Sequence, residues 1–191
     1  MNIKEKAISG VKWTTVSTIS IAISALVKIS VLTRFLDVSD FGLMALVTFV
    51  LGFMDLFMDM GLTSAILHRQ NIKKEEYASL YWLNVGFSFF LFGLIVLLSP
   101  LIANFYDEPE LRNLIPLAGL AIIFSAIGRQ YKTILQKHLQ FKKIALIDII
   151  AVIIALAVAI ILAVKGFGVY ALVYSALTQH TIGNLVYFVL G

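Results

Sequence analysis

The sequence predicts an all-α integral membrane protein, a bundle of six transmembrane helices with both ends in the cytoplasm. Three observations predict it. The 191 residues are 60% hydrophobic and 14% charged, with a mean hydropathy of +0.96. Soluble domains run roughly 45–50% apolar and about 25% charged. Long uncharged runs recur, 30 residues from Tyr77 to Tyr106 and 26 from Gly166 to Gly191. Lys and Arg gather between alternate runs. This composition excludes an ordinary soluble domain and a disordered chain, and the absence of Cys excludes thiol catalysis, cysteine-ligated metal and a disulfide scaffold. The absence of strict period-two alternation argues against a β-barrel.

A membrane helix needs about 20 mostly apolar residues. On that requirement the spans fall at about 10–33, 41–67, 77–103, 112–134, 144–164 and 168–190. Orientation follows from the cations. One side holds Lys4, Lys6 and Lys12, then Arg69, Lys73 and Lys74, then Arg129, Lys132, Lys137, Lys142 and Lys143, which is 11. The other side holds Arg34, Arg112 and Lys165, which is 3, and Lys28 lies within the first span. The positive-inside rule places the 11 in the cytoplasm. The same distribution fits the net charge of +4 to membrane orientation and not to nucleic-acid binding. Trp13, Tyr77, Tyr81 and Trp82 fall at the inner boundary, and Phe105, Tyr106 and Tyr170 at the outer one, as an interfacial aromatic belt. The stretch Gly128–Lys143 is basic and amphipathic; it is expected to continue the fourth span into the cytoplasm and then lie along the headgroups.

Polar residues inside the spans are the candidates for function. Asp55 and Asp59 stand four apart, on one face of the second span. Each central Asp costs about 2.5–3.5 kcal/mol on the insertion scale, so that face must meet protein or water. Two readings remain: carboxylates hydrogen-bonded to neighbouring helices, or a cation or proton site. Lys28 sits about five residues from the outer end of its span and either snorkels outward or faces a cavity. Gln179 and His180 lie mid-span in the sixth helix, as packing residues or as a polar site. Asp148 is read as structural, paired with Lys142 or Lys143. Phe41–Val47 and Phe167–Val173 match at five of seven positions, each at an outer helix entrance, which suggests two related hairpins.

No Ser-His-Asp set, Walker loop or HExxH is present. Asp55 and Asp59 lack the upstream D-G-x2-A-R that membrane CDP-alcohol phosphotransferases use beside their metal-binding carboxylates, so no enzyme and no metal are expected.

An ordered series of motifs resembles one family. It runs from Val11-Lys12-Trp13 through Leu32-Thr33-Arg34-Phe35-Leu36 and Asp40-Phe41-Gly42-Leu43 to Asp59-Met60-Gly61-Leu62-Thr63-Ser64-Ala65 and Leu67-His68-Arg69. Phe105-Tyr106, Pro109-Glu110-Leu111, Leu135–Lys143 and Gly166–Val173 complete it. The chain is similar to polysaccharide-biosynthesis flippases of the multidrug/oligosaccharidyl-lipid/polysaccharide exporter superfamily, near the lipopolysaccharide and colanic-acid branch. The resemblance implies one lobe of a two-lobe transporter, the N-terminal bundle, with the second bundle lying beyond Gly191. It implies alternating-access translocation of a polyprenyl-diphosphate-linked oligosaccharide across the bacterial cytoplasmic membrane. No catalytic residue or cofactor is implied. Partners would be membrane lipids and the polysaccharide polymerase or assembly machinery, with no nucleic acid. By position and charge, Lys28, Arg34, Arg69, Arg129, Lys132 and Gln179 are expected to meet the substrate headgroup, and Asp55, Asp59 and His180 to couple a proton or sodium ion. A small cationic drug exporter of the same superfamily, or a non-transporting scaffold, are the competing expectations.

Overall fold

The computed structural model describes residues 3–59 and 74–190, with side chains described over 8–58 and 76–190. Among the described residues there are six helices and no strand. They are α1 (Ile3–Leu32), α2 (Val38–Asp59), α3 (Lys74–Phe105), α4 (Leu111–Lys137), α5 (Phe141–Val164) and α6 (Val169–Leu190). The first five are long and apolar enough to cross a membrane. The sixth carries Thr178, Gln179, His180, Thr181 and Asn184 along its middle, yet its 22 residues span about 33 Å at 1.5 Å each, enough for a bilayer core of about 30 Å. Residues 60–67 of the expected second span, and Arg69, lie outside the described residues, as does the side chain of Asp59.

Helices joined in sequence by the short turns 33–37, 106–110, 138–140 and 165–168 run antiparallel. Three helices close in the same way. After α4, Leu139 turns into the left-handed region (φ 56), and its N–H reaches the Gln136 carbonyl at 2.9 Å while that of Gln140 reaches Leu135 at 2.9 Å. After α5, Gly166 (φ 77) does the same, with Gly166 N–H on Ala163 and Phe167 N–H on Leu162. After α3, Asp107 (φ 57) precedes a Glu108 N–H bonded to Ala103. Each loop thereby satisfies carbonyls that a helix end leaves orphaned. The stretch Gly128–Lys143 therefore departs from expectation. Its first part does extend the fourth helix to Lys137, but the chain then reverses at Leu139 and re-enters as α5 instead of lying along the surface.

The helices pack as a row, α3–α4–α6–α5–α1, with α2 laid across α4 and α6. In lipid, apolar surface is no driving force between helices, so close fit decides. Ala151, Ala155, Ala159 and Ala163 form a buried small-residue stripe on α5. Gly128 of α4 meets α6 so closely that a Cβ there would lie 2.5 Å from the Asn184 Cα. Buried hydroxyls and amides add bonds between helices. Ser175 Oγ donates to the Ala155 carbonyl at 2.9 Å, and Asn84 Nδ2 to the Ala126 carbonyl at 3.2 Å.

Two prolines interrupt this packing, and one serine answers both. Pro100 in α3 and Pro116 in α4 have no N–H, so the carbonyls four residues earlier, Val96 and Arg112, lose their helical partners. Ser99 Oγ sits 3.1 Å from Val96 O and 3.3 Å from Arg112 O.

The two similar segments at the entrances of α2 and α6 meet in space. The Asp40 carboxylate accepts the Asp37 N–H at 3.0 Å through Oδ2 and the Val169 N–H at 3.0 Å through Oδ1. One acidic side chain thus caps the N-termini of two helices, where an anion is favoured.

Candidate functional site

Polar side chains from four helices share one wall of the bundle. Its middle is α6, where His180 lies about 16 Å from either end of the helix. A cavity of 250 Å³ opens between α2, α4 and α6, lined by Thr48, Gly52, Asp55, Ser125 and His180 among apolar neighbours. The Ser125 hydroxyl and His180 Nδ1 are 3.4 Å apart. A second cavity of 60 Å³, between α1, α5 and α6, is lined by Ser24, Lys28 and Gln179. A third, of 430 Å³, separates α1 from α2 and is lined by Lys28, Phe41, Met44, Thr48 and Leu172. Shared residues join them: Met44 and Thr48 line the first and third, and Lys28 the second and third.

Lys28 thus takes the cavity-facing position, not the outward one. The direction of α1 explains this. Its Cα–Cβ bonds tilt toward the helix N-terminus, so a lysine near the C-terminal end leans back toward the bundle middle.

Asp55 pairs with Arg129 of α4 through Oδ1 and Nη2. The carboxylate side chain is 61% exposed and the guanidinium side chain 20%. The sequence assigned these two residues to different tasks, and the fold brings them together. Lys132, one turn further along α4, faces elsewhere. It bonds both oxygens of Asp148, at 3.2 and 3.1 Å, and Tyr187 donates to Asp148 Oδ1 at 2.8 Å. Asp148 is therefore paired as a structural residue, but not with Lys142 or Lys143. Those lysines stand six and five positions before it on α5, off its face, and Lys142 lies over the Trp13 ring, 5.4 Å from its centroid. Lys132 thus joins α4, α5 and α6, and with Asp148 it lines a separate cavity of 220 Å³ beside Thr14, Ser17 and Thr18 of α1.

Of the remaining expected residues, Gln179 lines the second cavity, and Arg34 is exposed in the turn after α1. No group of three or more His, Cys, Asp or Glu able to hold a metal occurs among the described residues. Sequence reasoning overlooked Ser24, Thr48 and Ser125. Their signal was present: Ser24, Ser125 and Thr48 stand four, four and seven residues before Lys28, Arg129 and Asp55, on the same helix faces.

Apolar helices that turn lipid-compatible faces outward and hold charged and amide side chains on one wall define a multi-pass membrane protein with a polar cavity surface. The family described as "Polysaccharide biosynthesis protein" matches residues 31–190, and the chain belongs to it. It is 36% identical over 153 residues to the lipopolysaccharide biosynthesis protein WzxC of Escherichia coli (strain K12), covering 80% of this chain and 31% of WzxC. It is 31% identical over 148 residues to the teichuronic acid biosynthesis protein TuaB of Bacillus subtilis (strain 168), covering 78% and 31%. With the succinoglycan biosynthesis transport protein ExoT of Rhizobium meliloti (strain 1021) the identity is 29% over 147 residues, covering 76% and 30%. The chain spans about a third of the length of these curated relatives. No solved structure matches.

Proposed function

We propose that this bundle is one lobe of a flippase that moves a polyprenyl-diphosphate-linked oligosaccharide from the cytoplasmic to the outer leaflet for surface polysaccharide biosynthesis. It acts as a transporter and not as an enzyme. The observation that carries the reading is the polar wall, with Arg129 and Lys28 held at different depths within an apolar bundle. A diphosphate cannot cross hydrocarbon unaided, because burying its charge without partners costs many kcal/mol. Cations spaced along one wall supply such partners in sequence. A second bundle, facing this wall, completes the cavity, and rocking of the two lobes exposes it alternately to each side. The end bearing Lys137 and Lys142 faces the cytoplasm of a bacterial inner membrane.

In this reading Arg129, Lys28 and Gln179 meet the headgroup within the wall and Arg34 meets it at the outer end, while Arg69 is assigned to the headgroup by its charge alone. Lys132 supports the wall through Asp148. A proton or sodium ion drives the cycle through Asp55 of α2 and His180 of α6, with Asp59, four residues after Asp55, as a third group. The substrate is handed on to the polymerase or assembly machinery. The exposed carboxylate of Asp55 would favour export of small cations instead, but Arg129 already neutralises it, which supports the anionic substrate.

Complementation tests the reading. The full-length gene should restore surface polysaccharide in a flippase-null cell, and the isolated 191 residues should insert in the membrane without restoring it. Failure of the full-length gene to restore export refutes the proposal; restoration by these residues alone refutes the two-lobe mechanism.

A further inference from the structure

Among the described residues, two interhelical ion pairs are built differently. Asp148 is locked, with both oxygens bonded by Lys132 and one also by Tyr187. Asp55 meets Arg129 through one oxygen, and its side chain is the exposed member of the pair, on the surface of the 250 Å³ cavity. A strut between α2 and α4 would gain most by covering both partners. Moreover, α2 is already held to α4 by apolar contact, Val47, Val50 and Met54 against Leu114, Ala118 and Ile122 in one core cluster. The open carboxylate is thus surplus to what the packing needs.

We propose that Asp55 is a built-in stand-in for the substrate's anion, holding Arg129 while the cavity is empty and leaving it when a diphosphate arrives. This deepens the transport reading and rests on it for the identity of the anion. The chemistry favours the exchange in one direction only. Arg129 presents a planar fork that donates to two oxygens at once. A diphosphate offers more charge and more oxygens than a carboxylate held by one. A neutral ligand offers Arg129 no charge in exchange for the carboxylate, so it does not displace Asp55. The displaced carboxylate then faces the cavity without its cation, so anion loading and cation uptake at Asp55 favour each other reciprocally.

The experiment measures inorganic pyrophosphate binding to the full-length protein in zwitterionic nanodiscs by titration calorimetry. Asp55→Asn takes this carboxylate's charge away from Arg129 and should tighten binding about tenfold, somewhat more than an exposed ion pair is worth because the guanidinium is mostly covered. Arg129→Gln should weaken binding at least as much, and the double variant should match Arg129→Gln alone. Unchanged or weaker binding by Asp55→Asn at wild-type membrane abundance overturns the proposal. If Asp55→Asn does not accumulate, the exchanged pair Asp55→Arg with Arg129→Asp is read instead. It keeps a salt bridge but turns the cation toward the cavity, so tighter binding supports the proposal and wild-type binding overturns it. An unchanged affinity together with successful complementation by the full-length gene removes the exchange and leaves the transport function standing. Tightening without complementation removes the transport function and keeps the anion exchange.

Discussion

Replacing Ser99 with Ala removes one hydroxyl that serves two proline-broken helices. Ser99 is 2% exposed, 3.1 Å from Val96 O and 3.3 Å from Arg112 O. A hydroxyl has one hydrogen, so it donates to one carbonyl or is shared between both. Measured interhelical hydrogen bonds in membrane proteins average about 0.6 kcal/mol and reach about 1.7. Because both carbonyls are orphaned by proline, Ser99→Ala is expected near the upper end, at about 1.5 kcal/mol. Equilibrium unfolding of the full-length protein in mixed micelles reads this directly. The decisive comparison is the same substitution in a Pro100→Ala, Pro116→Ala background. There the restored N–H groups satisfy Val96 and Arg112, and Ser99→Ala should cost less than about 0.5 kcal/mol, so the cycle returns a coupling of about 1 kcal/mol. An equal cost in both backgrounds refutes the assignment, because Ser99 would then be stabilising the bundle by packing alone.

Gly128→Ala places a Cβ 2.5 Å from the Asn184 backbone. Backbone cannot step aside, so α4 and α6 must separate, at an expected cost of about 1–3 kcal/mol in the same unfolding assay, and Asn184→Ala should not rescue it. For topology, cysteines at Gln140 and Glu108 of the full-length protein should react with impermeant thiol reagents from opposite faces, Gln140 from the cytoplasm and Glu108 from outside. Reversed labelling would overturn the orientation.

Much of the fold can be read in the sequence because membrane insertion is decided segment by segment. Hydropathy over about 20 residues is a local quantity, and it located each of the six described helices. Gly166 announced its turn, since glycine adopts positive φ without cost. Leu139 did not, because a leucine there gives no sign of the left-handed conformation that reverses the chain. That is why the stretch after α4 looked like a surface helix. The residues of the wall were legible as a set for a related reason: a polar side chain in an apolar span is costly, so Lys28, Asp55, Gln179 and His180 stood out without any knowledge of their neighbours.

What the sequence by itself determined is therefore the class of protein, the place of the described helices, and which side chains need an explanation. What only the tertiary structure decided is who meets whom. Asp55 and Arg129 are 74 residues apart, and their pairing changed the meaning of both. Lys132 was one cation among several until α5 and α6 brought Asp148 and Tyr187 to it. Ser99 was one small residue among many until two prolines converged on it. The physical reason is the solvent. In water, the apolar stripe of a helix marks the face it will bury, but in lipid a helix such as α5, apolar all round from Ile149 to Val164, carries no such mark over that length. Its partners are selected by close fit and a few hydrogen bonds, and those exist only once the helices have come together.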